Sequence, residues 1–179
     1  MRITITGPRS VGKTTTAVLL AEQLKLRYTS WDDLMDELLQ PYGGLSKLLK
    51  DKRKDIINKH IIPCCEQALK KDGVILDLAG GSLYAQEGVG EKVRKRLKKK
   101  STVIGLLPSI NDQTSIEHLY KRERERKHFN HLNDQELKNK VRRNYLDVKA
   151  ALKKTTDNII YTAVLTPGQV VAKCRAAIR

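Results

Sequence analysis

Two rhythms of apolar residues alternate along the chain. Arg2–Thr6 is a short β-branched run, with Ile3 and Ile5 between threonines, and it stops at Gly7-Pro8. From Thr14 the spacing becomes helical, with Ala17, Leu20, Ala21 and Leu24 on one face. A second strand is predicted at Leu26–Thr29. Ser30 then reads as the N-cap of a helix running to Leu39, with Asp33 in the capping-box position. Pro41-Tyr42-Gly43-Gly44 breaks that helix. A long basic helix is predicted from about Leu45 to Lys71, interrupted or bent at Pro63. Asp72-Gly73 is a turn, and Val74–Leu78 is an apolar run of the kind that fills a fully buried strand. Gly80-Gly81 closes it, and Val89–Lys100 is a basic helix. Thr102–Leu107 is another buried strand, ended by Pro108. Helices follow at Asp112–Lys127 and Asp134–Lys154, the second with a core stripe of Leu137, Val141, Tyr145, Val148 and Leu152. A last strand at Ile159–Thr162 leads to a helix capped by Thr166, with Pro167 at its first position.

Strands that alternate with helices imply an α/β fold: a parallel five-stranded sheet between two helical layers. The length of 179 residues suits a single domain over 1–179. Hydrophobic residues at 40% supply a core, so disorder is not expected. Lys and Arg total 35 against 20 Asp and Glu, a net charge of +15, which points to an anionic partner. No run of 18 apolar residues is present, so no membrane span is expected. The N-terminus reads as a strand rather than a signal peptide. Cys64, Cys65 and Cys174 fit neither a disulfide framework nor a zinc pattern, and are expected to be core residues in a reducing cytoplasm.

Gly7-Pro8-Arg9-Ser10-Val11-Gly12-Lys13-Thr14 matches the phosphate-loop pattern G-x-x-x-x-G-K-[ST], between a strand and a helix as its mechanism requires. Glycines let the backbone curl so that its N–H groups face a polyphosphate, and the following helix adds the positive end of its dipole. Lys13 is expected at the β- and γ-phosphates of ATP and the Thr14 hydroxyl at Mg²⁺, with Thr15 next along the same nucleotide site. Asp77, in a hydrophobic strand, is the second candidate for Mg²⁺, as in a Walker-B strand. No N-K-x-D motif is present, which disfavours a GTPase.

With these motifs the chain resembles shikimate kinase and its relatives of the nucleoside-monophosphate-kinase fold. The resemblance implies a P-loop kinase with a mobile lid at about 120–134 and an acceptor-binding region at about 30–70. It implies ATP-dependent phosphorylation of an acceptor hydroxyl. In Tyr28-Thr29-Ser30-Trp31-Asp32-Asp33, Asp32 takes the place of the family's second Asp, which binds substrate hydroxyls; Ser30 replaces the first. Gly80-Gly81-Ser82 stands where the family has three glycines that approach the substrate. Arg126-Lys127-His128-Phe129 stands at the lid, where Arg126 is implied to stabilise the transferring phosphoryl and Arg122 and Arg124 are alternatives. Arg142-Arg143-Asn144-Tyr145 resembles a substrate-binding stretch, with Arg143 a clamp for an acceptor carboxylate and Arg53 the candidate for a second clamp. The acceptor is therefore expected to be a small anion.

Two other readings carry weight. Asp77 and the high positive charge also suit a nucleoside or nucleotide kinase. Seven basic residues in nine, Lys92 to Lys100, suit a nucleic-acid-associated ATPase, although a solvated helix accounts for them and aromatics for base stacking are few. The basic, sign-alternating stretch Lys121–Lys127 also reads as a solvated helix face. His118, His128 and His131 show no metal spacing and are expected in the lid or on the surface. Trp31 suits either the acceptor pocket or the core. Oligomeric state cannot be read from the chain.

Overall fold

The computed structural model describes residues 1–86, 88–126, 129 and 131–178. Five strands form one parallel sheet: β1 (Arg2–Gly7), β2 (Arg27–Ser30), β3 (Val74–Ala79), β4 (Thr102–Leu107) and β5 (Ile159–Tyr161), in the order β2-β3-β1-β4-β5. The central strands are the apolar runs, and Ile3, Ile5, Ile75, Leu76, Leu78, Ile104 and Leu106 are all fully buried. Burial on both faces is what a parallel sheet demands, because its crossover helices cover both sides.

Eight helices are present among the described residues: α1 (Lys13–Leu24), α2 (Trp31–Leu39), α3 (Gly44–Lys50), α4 (Lys54–Ala68), α5 (Val89–Lys100), α6 (Asp112–Glu125), α7 (Asp134–Lys153) and α8 (Pro167–Ala176). Their starts follow the capping chemistry in the sequence. Ser30 accepts from the Asp33 amide, and Thr166 and Asn133 form full capping boxes with Gln169 and Glu136. Each such cap contributes about 1 kcal/mol. The buried apolar residues make one continuous cluster that includes Trp31, which is thereby a core residue, and Cys64, Cys65 and Cys174. The three thiols are free and buried, and burial pushes them up to about 12, 11 and 12.

One prediction is corrected. The basic helix expected over 45–71 is two helices, and the break lies at Asp51–Arg53 rather than at Pro63. Lys52 adopts a left-handed conformation at φ 56°. The Arg53 amide returns to the Leu48 carbonyl at 2.9 Å and the Lys52 amide to the Leu49 carbonyl at 3.3 Å. That is a Schellman stop, here with lysine where glycine is usual. Pro63 sits inside α4, which continues through it to bury Cys64, Cys65 and Ala68 against the core. Tertiary packing of that face outweighs the hydrogen bond the proline removes.

Strand order places the site. The chain leaves β1 for β2 on one side and later crosses to β4 on the other, and crevices at the carboxyl ends of such strands hold ligands. The phosphate-loop residues follow β1 there, and Asp77 lies on β3 in register with Ile5 of β1 and Ser30 of β2.

Candidate active site

Gly7 ends β1 in close contact with its neighbours: a Cβ there would lie 2.4 Å from the Leu106 carbonyl oxygen. Ser10 and Gly12 then take left-handed conformations, at φ 63° and 102°. Such turns point successive amides into one concavity, an anion cradle, and α1 begins at Lys13 with its N-terminus on that cradle. Lys13 is half-buried and its ammonium donates to the Pro8 carbonyl at 3.0 Å, so the side chain lies back across the loop.

Charged groups converge beside it. Thr14 Oγ1 donates to Asp77 Oδ2 at 2.6 Å. The two residues read from the sequence as metal-binding, 63 positions apart, are thus in contact. Tyr28 on β2 donates to the same carboxylate oxygen at 3.4 Å, and burial, with the Asp77 charge behind it, pushes its hydroxyl up to about 12. Asp32, in the first turn of α2, faces the same group: desolvation and the Asp77 charge raise its pKa, and Lys13 and Arg9 pull it down. Desolvation lowers the Lys13 pKa, opposed by Asp77 and Asp32 and reinforced by Arg126 and Arg9. Lys13, Arg9, Arg126, Asp32 and Asp77 therefore share one electrostatic neighbourhood.

Oxygen donors suit magnesium, which takes one or two carboxylates and completes its shell with water and phosphate. The Thr14 hydroxyl and the Asp77 carboxylate fit that requirement. Among the described residues no group of three or more His, Cys, Asp or Glu side chains is placed to hold a metal by itself.

A cleft of ≈ 160 Å³ lies on the far side of the loop, lined by Val11, Gly12, Thr15, Arg122, Leu165 and Pro167 among others. It runs between α6 and the turn before α8, next to the loop. Gly80 is buried against the loop's origin, and a Cβ there would lie 2.4 Å from the Gly7 carbonyl oxygen. Gly81 is exposed.

The other expected residues are placed differently. Arg53 is exposed and forks onto Asp55, with Nε to Oδ1 at 3.1 Å and Nη2 to Oδ2 at 3.0 Å. Arg143 is exposed on α7. Its neighbour Asn144 is the α7 residue that reaches the loop: Asn144 Oδ1 accepts from the Arg9 amide at 3.0 Å, and Nδ2 donates to the Tyr84 hydroxyl at 3.2 Å. Arg126 caps the end of α6 and is exposed. Lys127 and His128 of the expected lid lie outside the described residues. Phe129 has the Arg9 guanidinium 4.8 Å and the Lys140 ammonium 3.9 Å from its ring centroid.

Glu123 went unnoticed in the sequence. It lies in the stretch that reads as a solvated face, yet it is only 2% exposed. Its carboxylate accepts from Arg9 Nε at 2.8 Å and from Ser10 Oγ at 2.5 Å. Nor does the sequence single out Tyr84, or give Asn144 a role of its own within Arg142–Tyr145. In the basic run of α5, Val93 and Leu97 are buried, Arg96 is bound to Glu66 at 2.9 Å and Arg94 donates to the Leu83 carbonyl, while the lysines are exposed. No helix among the described residues is long and apolar enough to cross a membrane.

Comparison with known proteins gives a family and a fold. The family model described as "Shikimate kinase" matches residues 9–179. Among solved structures, shikimate kinase from Aquifex aeolicus vf5 superposes with a TM-score of 0.71 at 17% identity, over 99% of this chain and 95% of that one. Shikimate kinase from Acinetobacter baumannii in complex with shikimate gives 0.72 at 16%, over 99% and 92%. A gluconokinase from Sinorhizobium meliloti 1021 gives 0.60 at 15%, over 99% and 90%. At these identities the likeness is one of fold. No curated protein sequence matches the chain.

Proposed function

Because the chain belongs to the shikimate kinase family, matched over residues 9–179, we propose that its site transfers the γ-phosphoryl of ATP to a hydroxyl of a small anionic polyol of the shikimate type. The chain is an ATP-dependent small-molecule kinase, a phosphotransferase with an alcohol acceptor. The family match supports the acceptor class, and the observation that supports phosphoryl transfer itself is the 2.6 Å contact of Thr14 with Asp77, in the electrostatic field of Lys13 and Asp32. It unites the parts that phosphoryl transfer needs: a phosphate cradle, a metal-holding pair, a cation and a carboxylate.

The loop Gly7 to Thr15 binds the phosphates through the Lys13 ammonium and through backbone amides, except at Pro8, which has none, and at Arg9, whose amide donates to Asn144. Thr14 and Asp77 would hold Mg²⁺, and the ion would supply positive charge to offset that of the transferring phosphoryl. Asp32 orients the acceptor hydroxyl and takes its proton as the oxygen forms its bond to the γ-phosphorus. The bond from that phosphorus to the β,γ-bridging oxygen breaks, and ADP leaves with the electron pair. A raised pKa on Asp32 suits a base, and a lysine amine half-removed from water is ready for an anionic ligand. Arg126 supplies further positive charge at the lid, about 120–134. Gly80 and Gly81 lie on the acceptor side in this reading, opposite the region of about 30–70, and Arg53 and Arg143 serve it as clamps only on leaving Asp55 and solvent, respectively. The adenine lies in the cleft between α6 and the turn before α8. One domain, 1–179, carries the whole site. Free, buried thiols suit the cytoplasm, where ATP is held.

The Asp77 carboxylate on Thr14 favours a second reading, a nucleoside or nucleotide kinase. A single experiment separates the two. Shikimate, gluconate, nucleosides and nucleoside monophosphates are each offered with Mg·ATP, and ADP release and the phosphorylated product are measured. The proposal expects transfer to shikimate or another anionic polyol, lost in Lys13→Ala with an unchanged circular dichroism spectrum. Asp32→Ala is expected to lose acceptor phosphorylation while still binding nucleotide. Preference for a nucleoside or its monophosphate replaces the proposal with the second reading. Full turnover by Lys13→Ala removes both.

A further inference from the structure

The structure assigns to Glu123 of α6 a positioning role: through its hydrogen bond to Ser10 it holds the phosphate loop in the conformation that aims its amides at a polyphosphate. The inference rests on the kinase reading and adds a residue to it.

Ser10 has φ 63°, a left-handed conformation in which residues bearing a Cβ are disfavoured. It is 5% exposed, and its hydroxyl is bound by Glu123 Oε2 at 2.5 Å. That bond opposes relaxation of Ser10 to an ordinary right-handed or extended conformation. With Gly12 also left-handed two residues on, the turn of the loop depends on both positions. Gly12 has the freedom built in; Ser10 needs an external hold.

Glu123 is an unlikely residue to find there on charge alone. A buried carboxylate under an anion cradle repels the ligand and is costly unless paired. Arg9 pairs with its other oxygen at 2.8 Å, which offsets the repulsion. The Arg9 side chain is 47% exposed, so water screens its side of the pair and the offset is partial. Ser10 is the partner through which the carboxylate reaches the backbone. The same stretch of α6 carries Arg122 to the edge of the nucleotide cleft and Arg126 into the field of Lys13. Placement of α6 is thereby transmitted to the loop.

The test is a double-mutant cycle on Mg·ADP affinity by calorimetry, which needs no acceptor. Glu123→Ala is expected to weaken binding by about tenfold, 1.4 kcal/mol. Glu123→Gln keeps an acceptor oxygen for Ser10 and is expected to lose less than about threefold. The decisive arm is Glu123→Ala in a Ser10→Gly background. Glycine adopts the left-handed conformation unaided, so the loss there should shrink to less than about threefold. A role confined to packing would give the same loss in both backgrounds. Circular dichroism and melting confirm that each variant is folded. Wild-type binding with Glu123→Ala within about twofold of it overturns the inference alone, as does an equal loss in both backgrounds. No binding by the wild-type chain overturns the kinase reading, and this inference with it.

Discussion

Substituting alanine for Gly80 tests whether the turn after β3 sets the position of the phosphate loop. A Cβ at Gly80 would lie 2.4 Å from the Gly7 carbonyl oxygen, 3.2 Å from its carbonyl carbon and 3.0 Å from Val148 Cγ2 of α7. The first separation falls short of the 3.0 Å that real Cβ atoms keep, and the obstructing atom is backbone. Rotamer change cannot relieve it. Either the ends of β1 and β3 separate, although Gly7 and Ala79 are paired in the sheet, or the turn moves into α7. Overpacking of this kind costs about 1–3 kcal/mol. Taking about 2 kcal/mol, a chain of this size should melt ~4–8 °C lower. Gly7 also begins the loop, so Mg·ADP affinity should fall, because displacement of a site by about 1 Å is costly. Gly81→Ala is the control for stability. Nothing lies within 4 Å of a Cβ there, so its melting temperature should stay within about 1 °C of wild type. Calorimetric melting and nucleotide titration of both variants decide the matter. If Gly80→Ala melts with the wild type and binds nucleotide equally well, the close approach of Gly80 to Gly7 does not position the loop.

Two further outcomes follow from the charges. In the folded chain Lys13 has a lowered pKa, so between that value and the ordinary 10.5 the unfolded chain binds more protons. Wild-type stability then rises with pH through that window. Lys13→Met lacks this gain, so its melting temperature relative to wild type is most favourable at neutral pH and loses ground as pH approaches 10.5; a difference constant with pH would refute the burial argument. Asp77→Asn keeps an acceptor for Thr14 and removes the charge. Its Mg²⁺ requirement for turnover should rise by at least about tenfold, the scale on which loss of a hard oxygen ligand acts. The Tyr28 phenol, now at about 12, should also titrate lower, read as phenolate absorbance against wild type. An unchanged Mg²⁺ requirement would remove Asp77 from the metal site.

Local chemistry determined much of this molecule from sequence alone. Strands β3 and β4 are readable because strands buried on both faces are dominated by apolar residues, and β1 because its residues between Arg2 and Gly7 are all β-branched. The starts of α2 and α8 are readable because Ser30 and Thr166 satisfy amides only three residues away. The phosphate loop is readable because its glycine spacing and Lys13-Thr14 serve one short stretch of backbone. Lysine patterning did not reveal that α3 ends at Lys50, because the left-handed stop at Lys52 falls on a lysine rather than on the glycine that marks most such ends. The pairing of Arg53 with Asp55 likewise needed the backbone course between α3 and α4. Tertiary structure alone decided the burial of Glu123. Glu123 had the periodicity of a solvated face. Only the approach of α6 to a loop more than a hundred residues earlier buried it and gave its oxygens Arg9 and Ser10. Sequence spacing records which groups lie within a few residues of one another; the contacts that shape this site join residues far apart in the chain, and only the packing of helices on the sheet brings them within hydrogen-bond reach.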